Sequence, residues 1–509
     1  MQILPPESKV AVRRRRERAS ETGVARADAA AFIVSDRRLA VALARLPHAD
    51  LWQALHARAD RHSKAPLLVS RLPNARHTLA AVGFLPRGAS AFERLELAGR
   101  MMRELVKPGV ATLQCHAEGF DAGESAAVLE ALASAALAAA APMPQRKSSP
   151  APPAGLRSID VHGGRQPDLD LAVAVASGNH LARWLTTLPP NELDCVAYRR
   201  ALQRLARREG WSFRFYDERA LARLGAGAFL AVTRANAHRG AGIVRLSYRP
   251  ARSRRTRRVG LVGKGICFDT GGINLKAHKG MYLMHGDMQG SAVAVGSLLA
   301  LARSGAPLEI DCWLALTENQ IGPRAYRPQD VVQAMNGVTI QVVHSDAEGR
   351  MVLADTLALA ARTKPALLLD FATLTGACVN ALTDRYSGAF TNRLQLETPL
   401  QAAGRASGER VWCFPMDEDF DTELDSPIAD VMQCSVESKG DHILAARFLG
   451  RFVPAELPWA HIDLSASERK GGLAHVPTEF TGFGVRFATQ LLGDGTLLDR
   501  LESAPESLT

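Results

Sequence analysis

The chain is short of the features that mark several protein classes. Its 509 residues hold seven cysteines, an odd number, with no Cys-x-x-Cys pair. That favours reduced thiols over a disulfide framework. There is no His-Glu-x-x-His pair, which disfavours a single-zinc protease. No Gly-x-Ser-x-Gly nucleophile turn accompanies Trp459-Ala460-His461-Ile462-Asp463. The apolar alternation of that segment predicts a core strand, with His461 and Asp463 structural. The glycines of 260–265 lack phosphate-loop spacing, and Lys264 is followed by Gly265 instead of Ser or Thr. The first residues, Met1 to Pro6, contain no apolar signal core. No apolar run is read as long enough to span a bilayer. The most hydrophobic low-complexity piece, 126–141, reads as an Ala-rich helix. No internal repeat is present. The expectation is a cytoplasmic protein that does not enter a membrane.

What the chain does have is concentrated acid. His344-Ser345-Asp346-Ala347-Glu348-Gly349-Arg350 follows a run, 338–343, that reads as a strand. If the extended conformation continues, Asp346, Glu348 and Arg350 share one face, because strand side chains alternate with period two. Two adjacent acids repel and raise each other's pKa. A divalent cation between them removes that cost, and Gly349 lets the backbone come close to it.

A second cluster lies upstream. The apolar run 259–262 reads as a buried strand leading into Gly263-Lys264-Gly265-Ile266-Cys267-Phe268-Asp269-Thr270-Gly271-Gly272, then Lys276, and later Met284-His285-Gly286-Asp287. The glycines are read as turns that bring Lys264, Asp269, Lys276 and Asp287 together. Asp269, Asp287, Asp346 and Glu348 make an oxygen-rich set suited to two divalent ions. Two-metal hydrolases hold their ions about 3.5–4 Å apart and share an attacking water. His278, His285 and His344 are read as surface or supporting residues, and Cys267 as a small buried one.

These segments resemble the leucine aminopeptidase (cytosol aminopeptidase) family of dinuclear metallo-exopeptidases. The family signature is close to Asn-Thr-Asp-Ala-Glu-Gly-Arg-Leu, where this chain has His344 to Met351. The likeness runs from about Gly178 to Leu492. It includes Arg183, Pro189-Pro190-Asn191-Glu192, Thr317-Glu318-Asn319, Ala325-Tyr326-Arg327-Pro328, Ala372 to Ala377, Trp459 to Asp463 and Thr481-Gly482-Phe483-Gly484. Several motifs in the family's order make the match specific. The departures are Gly286 before Asp287, and His344-Ser345 in place of Asn-Thr.

The resemblance implies roles for single residues. Asp269 and Glu348 resemble carboxylates that bridge two metals. Lys264 and Asp287 resemble the other ligands of one metal, and Asp346 the other ligand of the second. Lys276 resembles a catalytic lysine that polarises the scissile carbonyl. Arg350 resembles an arginine that holds a bicarbonate acting as general base. Thr373, Leu374 and Gly376 resemble groove residues, and Met284 a wall of the first side-chain pocket. The implied protein is a metal-dependent aminopeptidase acting on peptides, with two divalent ions (Mn²⁺ or Zn²⁺) per chain, assembled as a homohexamer. A ligating lysine must be neutral, whereas Lys276 must stay charged, so the two lysines are expected to need opposite environments.

The predicted fold class is α/β. An N-terminal α/β domain, 1–141, alternates strands and helices. A Pro/Ser-rich linker, 142–157, follows. A catalytic domain, 158–509, repeats strand and helix, which implies a mainly parallel sheet covered by helices on both sides. Hydrophobic content of 47% is ordinary for packed cores of this kind. The net charge is +10, densest at Arg13 to Arg16 and across 252–258. Without interleaved aromatics these runs read as solvated terminus or loop. Some members of the resembled family bind DNA, so nucleic acid is carried as a second partner.

Overall fold

The computed structural model describes residues 3–59, 67–150, 152, 154–165, 167–250, 257–437 and 439–503. The first strands are β1 (Ala11–Arg15), β2 (Ala29–Ser35), β3 (Leu68–Arg71), β4 (Leu79–Leu85), β5 (Thr112–Glu118) and β6 (Ser158–His162). They form one sheet in the order β1-β6-β5-β2-β4-β3, parallel except where β3 meets β4. The helices Ala91–Leu105 and Ala122–Ala140 cover it. Ser90 and Glu93 form a reciprocal capping box at the first, and Asp121 accepts two backbone N–H groups at the second. The helix Ala122–Ala140 is long and apolar enough to cross a membrane by length and composition. Its leucines and half of its alanines are instead buried in the N-terminal half.

The structure differs here from the expected domain boundary. Strand β6 lies beyond the Pro-rich stretch, yet it pairs with β1 and β5 in register. The stretch from 142 is therefore a crossover within the N-terminal unit, which extends to at least His162. Its prolines stop the helix, as expected, but do not end the domain. The Arg13–Arg16 run also differs, since Arg13 to Arg15 stand in the edge strand β1, where Arg14 pairs with Asp170 and Arg15 with Asp160. Charge on an edge strand discourages further strand pairing. Residues 252–256 of the second basic run lie outside the described residues.

The following strands are β7 (Ser212–Asp217), β8 (Gly242–Tyr248), β9 (Arg257–Asp269), β10 (Leu308–Asn319), β11 (Val331–Gln333), β12 (Thr339–Gln341), β13 (Leu367–Ala372), β14 (Ser387–Thr391), β15 (Val411–Cys413), β16 (Val431–Met432) and β17 (Trp459–Asp463). Eight of them build the large sheet, in the order β15-β14-β17-β13-β9-β10-β8-β7. The central four, β17, β13, β9 and β10, run parallel, and antiparallel pairs extend both sides. Buried on both faces, these four are mainly apolar and carry a few buried polar residues such as Lys264, Asp311, Asp370 and His461. The helices Leu169–Thr187 and Gln289–Arg303 pack on one core, and Glu348–Ala361 on the other. Strand β9 is much longer than the predicted 259–262. Gly263 and Gly265 are not turns. A Cβ on Gly263 would meet Ser291 Cα at 2.5 Å, so glycine there admits close packing of the Gln289–Arg303 helix.

The two halves meet through buried polar contacts. Arg486 donates to both oxygens of Glu130 at 2.7 Å, joining the Val485–Leu492 helix to Ala122–Ala140. His180 Nε2–H donates to the Pro142 carbonyl at 2.7 Å. Burial holds the His475 ring neutral, down to a pKa of about 3, with Arg486 adding to the effect. The sign follows from linkage. Below pH ~6.5 the unfolded chain takes up a proton on this ring that the folded chain refuses, so acid costs stability at His475. We expect His475→Gln to gain about 2 kcal/mol relative to wild type when urea unfolding is moved from pH 7.5 to pH 5. A pH-independent gap between the two proteins would show that the folded ring titrates normally.

Candidate metal centre and active site

The site lies at the carboxyl ends of the four parallel strands, the usual ligand position in such sheets. Asp269 ends β9, Asn319 ends β10, Thr373 follows β13 and Asp463 ends β17. Lys264 and Asp269 are five residues apart, and a regular strand would send them to opposite faces. The register between β9 and β10 shifts here. Thr317 pairs with Ile266, and Asn319 with Asp269, so β9 spends three steps against two. This bulge restores the parity that lets Lys264 and Asp269 serve one cleft.

The extended reading of 344–350 does not hold. His344 to Ala347 form a turn, and the helix Glu348–Ala361 begins at Glu348. Gln433 fixes the turn by accepting from the Val343 and His344 N–H groups, at 3.1 and 3.0 Å, and donating to the Ala347 carbonyl at 2.9 Å. On a helix, residues two apart diverge. Glu348 accordingly faces Lys264 at 2.9 Å, while Arg350 Nη2 meets both oxygens of Asp441 at 2.9 and 2.8 Å. Gly349 serves a different purpose from the expected one. A Cβ there would stand 2.7 Å from Lys264 Nζ, so glycine makes room for the lysine.

Lys264 Nζ also contacts Asp287 Oδ1 at 2.9 Å and donates to the Thr373 carbonyl at 3.0 Å. Thr373 Oγ1 donates to Asp287 at 2.7 Å. Lys276 Nζ lies between Asp269, at 2.9 Å, and Asp346, at 2.6 Å. Asp269 Oδ1 further accepts from the Gly271 N–H and from Asn319 Nδ2, each at 2.8 Å. The loops are stitched together behind it. Ser345 Oγ donates to the Gly271 carbonyl at 2.7 Å, Asn274 Oδ1 accepts from the Ser345 N–H at 2.9 Å, and Tyr326 donates to the Ser345 carbonyl at 2.6 Å.

Four carboxylates thus share two ammonium groups, and the cluster is short of positive charge. Burial and the neighbouring Asp269 push Glu348 up to about 8. Burial lifts Asp287 to about 6 against the pull of Lys264, and burial with Asp269 raises Asp346. Burial opposes the charge on both lysines, yet their carboxylate partners win and raise both. In the polypeptide alone the lysines therefore do not occupy opposite electrostatic environments. They differ in burial: Lys264 is 4% exposed and Lys276 17%. The donor set fits divalent cations. Ligand oxygens of Asp269, Asp346 and Glu348 lie within 4.8 Å of one another. Asp287 Oδ2 and Glu348 Oε2 are buried without a hydrogen-bond donor.

The cleft, about 730 Å³, is lined by every residue to which the family resemblance gives a site role: Lys264, Asp269, Lys276, Met284, Asp287, Asp346, Glu348, Arg350, Thr373, Leu374 and Gly376. Asp463 holds the Leu374–Thr375 loop through the Thr375 hydroxyl at 2.7 Å and the Leu374 N–H at 3.1 Å. His461 is buried and paired with Asp370 at 2.6 Å, so the structural reading of that strand stands. His344 Nδ1 accepts from the Asp346 N–H at 3.3 Å, and His285 packs edge-on against Phe480. Cys267 is buried beside Cys195. The sequence reading quoted Asn319 and Tyr326 without a role. It missed Gln433 and Asp441, which carry no local motif.

An α/β fold with acidic and lysine side chains converging at the strand ends defines a metal-site class. The family profile described as "Cytosol aminopeptidase family, catalytic domain" matches residues 180–489, and the chain belongs to that family. A probable cytosol aminopeptidase of Afipia carboxidovorans is 39% identical over 320 residues, 62% of this chain and 63% of its own length. Another, of Chlorobaculum tepidum, is 38% identical over 314 residues, 61% of each. These matches span less than two thirds of the curated relatives. The solved bottromycin maturation enzyme BotP in complex with Mn superposes with a TM-score of 0.79 at 30% identity, over 93% of this chain and 100% of that one. A mutant of tomato leucine aminopeptidase gives a TM-score of 0.82 at 25% identity, over 96% of this chain and 98% of that one.

Gly349→Ala is expected to destabilise the protein by about 1–3 kcal/mol, the cost of overpacking a filled site. Chemical denaturation reads this directly. A loss under about 0.5 kcal/mol, the level of a neutral surface change, would show that Lys264 moves aside freely.

Proposed function

We propose that the protein is a metal-dependent aminopeptidase, removing N-terminal residues from peptides in the cytoplasm. The observation that carries this reading is the convergence of Asp269, Asp346 and Glu348 on one point in the cleft. Family membership supports it. Asp269 and Glu348 would bridge two divalent ions, Lys264 and Asp287 would complete one site, and Asp346 the other. Oxygen donors with one amine suit Mn²⁺ or Zn²⁺. The Mn complex of the solved maturation enzyme favours Mn²⁺. Such ions activate water and polarise a carbonyl.

The remaining work falls to the chain's own groups. The ammonium of Lys276, the more exposed of the two, donates to the scissile carbonyl oxygen as negative charge builds there. Lys264 would hold a metal as the neutral amine, a state that dications beside it would favour. Thr373 fixes Asp287 and Lys264 together. Met284 and Leu374 give the first side chain an apolar wall, and Gly376 leaves the groove open, with nothing within 4 Å of its Cβ position. The family resemblance gives Arg350 a bicarbonate ion. In this chain Asp441 already engages its Nη2 group. A homohexamer is the assembly the resemblance implies, and sedimentation velocity measures it.

Protein reconstituted with Mn²⁺ is expected to hold two ions per chain by elemental analysis. Lys276→Ala should keep both and lose about 10²–10³ in kcat, as when a donor to a developing oxyanion is removed. Lys264→Ala should lose one ion. Equal metal loss in the two variants would contradict this division of labour.

N-acetylated peptides should resist cleavage, while the same peptides with a free α-amino group are trimmed one residue at a time. Liquid chromatography of the products distinguishes the two. Comparable turnover of blocked and free forms would make the protein an endopeptidase.

A further inference from the structure

The buried guanidinium of Arg350 must have an anion. Its side chain is 2% exposed, and it enters the cleft two residues after Glu348. A guanidinium does not shed its proton near neutral pH, and a buried charge without a partner is strongly destabilising. Nη1 donates to the Gln433 carbonyl at 3.2 Å, and Nε is buried without an acceptor. The counter-charge comes from Asp441, whose two oxygens stand 2.9 and 2.8 Å from Nη2. Asp441 belongs to another element, the first residue of the helix Asp441–Gly450.

We propose that Asp441 is a built-in anion for Arg350 and takes the proton of the attacking water, in place of a diffusible oxyanion. This rests on the peptidase reading of the same cleft. Asp441 faces the cleft and keeps 23% of its side chain exposed, so it is not sealed in the core. Other acids lining the cleft outside the cluster are engaged elsewhere or lie away from Arg350. Asp463 is bound to the Leu374 and Thr375 N–H groups and the Thr375 hydroxyl. Asp384 faces Arg469 at 3.6 Å. Burial, with the charge of Glu479 adding to it, raises the pKa of Glu468. A carboxylate held by the chain outcompetes a dilute ion for one guanidinium, because it is already positioned. The step balances without a co-reactant. An O–H bond of water breaks as its oxygen bonds the scissile carbonyl carbon, and the proton passes to Asp441 Oδ. The same proton goes to the leaving nitrogen as the C–N bond breaks, which restores the carboxylate.

The test uses the full chain loaded with Mn²⁺, an aminoacyl amide substrate, and buffer stripped of carbon dioxide. Wild-type kcat is expected to stay unchanged when sodium bicarbonate is added. Asp441→Gly frees Nη2. It should lose about 10²–10³ in kcat, as for a positioned acid–base group, and recover at least about tenfold with bicarbonate. Asp441→Asn keeps the shape but cannot take the proton, so it should fall as far and not recover. Calorimetry with sodium bicarbonate should find one site per chain in Asp441→Gly and none in wild type. A purely structural Asp441 would give no bicarbonate rescue in the glycine variant, and that result overturns the proposal. So does wild-type kcat in Asp441→Asn, or one bicarbonate bound per wild-type chain. If Asp441→Gly does not fold, the asparagine variant and wild-type calorimetry decide. If no amide is cleaved under any condition, the peptidase reading fails by itself. Calorimetry then still decides whether Asp441 fills the arginine.

Discussion

The rest of the site depends on one electrostatic constraint. Asp269, Asp287 and Glu348 are almost fully buried, and Asp346 is largely so. Burial and neighbouring negative charge favour the neutral acid at Asp287, Asp346 and Glu348. Lys264 and Lys276 each answer two of the four. Two cations against four anions leave a site that still attracts positive charge. The structure immediately around the cluster follows from that. Gly349 exists to let Lys264 pass, Asn319 to hold Asp269, and Thr373 to hold Asp287.

The sheet makes the constraint affordable in geometry. Parallel strands end together, so β9, β10, β13 and β17 deliver Asp269, Asn319, Thr373 and Asp463 to one rim. The bulge in β9 then corrects the parity between Lys264 and Asp269. Hydrogen bonds between the 270–276 and 343–347 loops keep the acids from drifting apart under their own repulsion. The N-terminal unit touches this half through Glu130, Arg486, His180 and His475, and none of these lines the cleft.

Arg350 is governed by the same rule as the acids, with the sign reversed. Its charge is fixed and its surroundings are dry, so it needs an anion held close by. Asp441 supplies that partner from a helix 91 residues further along the chain. The family likeness alone leads to an expectation of a mobile anion at this arginine. Side-chain placement in this chain gives it a tethered one.

The sequence by itself determined the α/β class and the identities of the acids and lysines that line the cleft. Composition patterns and ordered motifs are local, and local patterns survive without knowledge of packing. The extended reading of 344–350 failed because Gln433 captures the turn, and a contact 90 residues away leaves no trace in a seven-residue motif. The domain boundary failed for a related reason. Pro142 and Pro144 follow the end of a helix, but only strand pairing shows that β6 returns to the first sheet. Which face Lys264 takes, what Gly349 is for and which acid answers Arg350 were decided in the tertiary structure. Those are questions of distance between segments, and the order of residues along a chain does not carry distance.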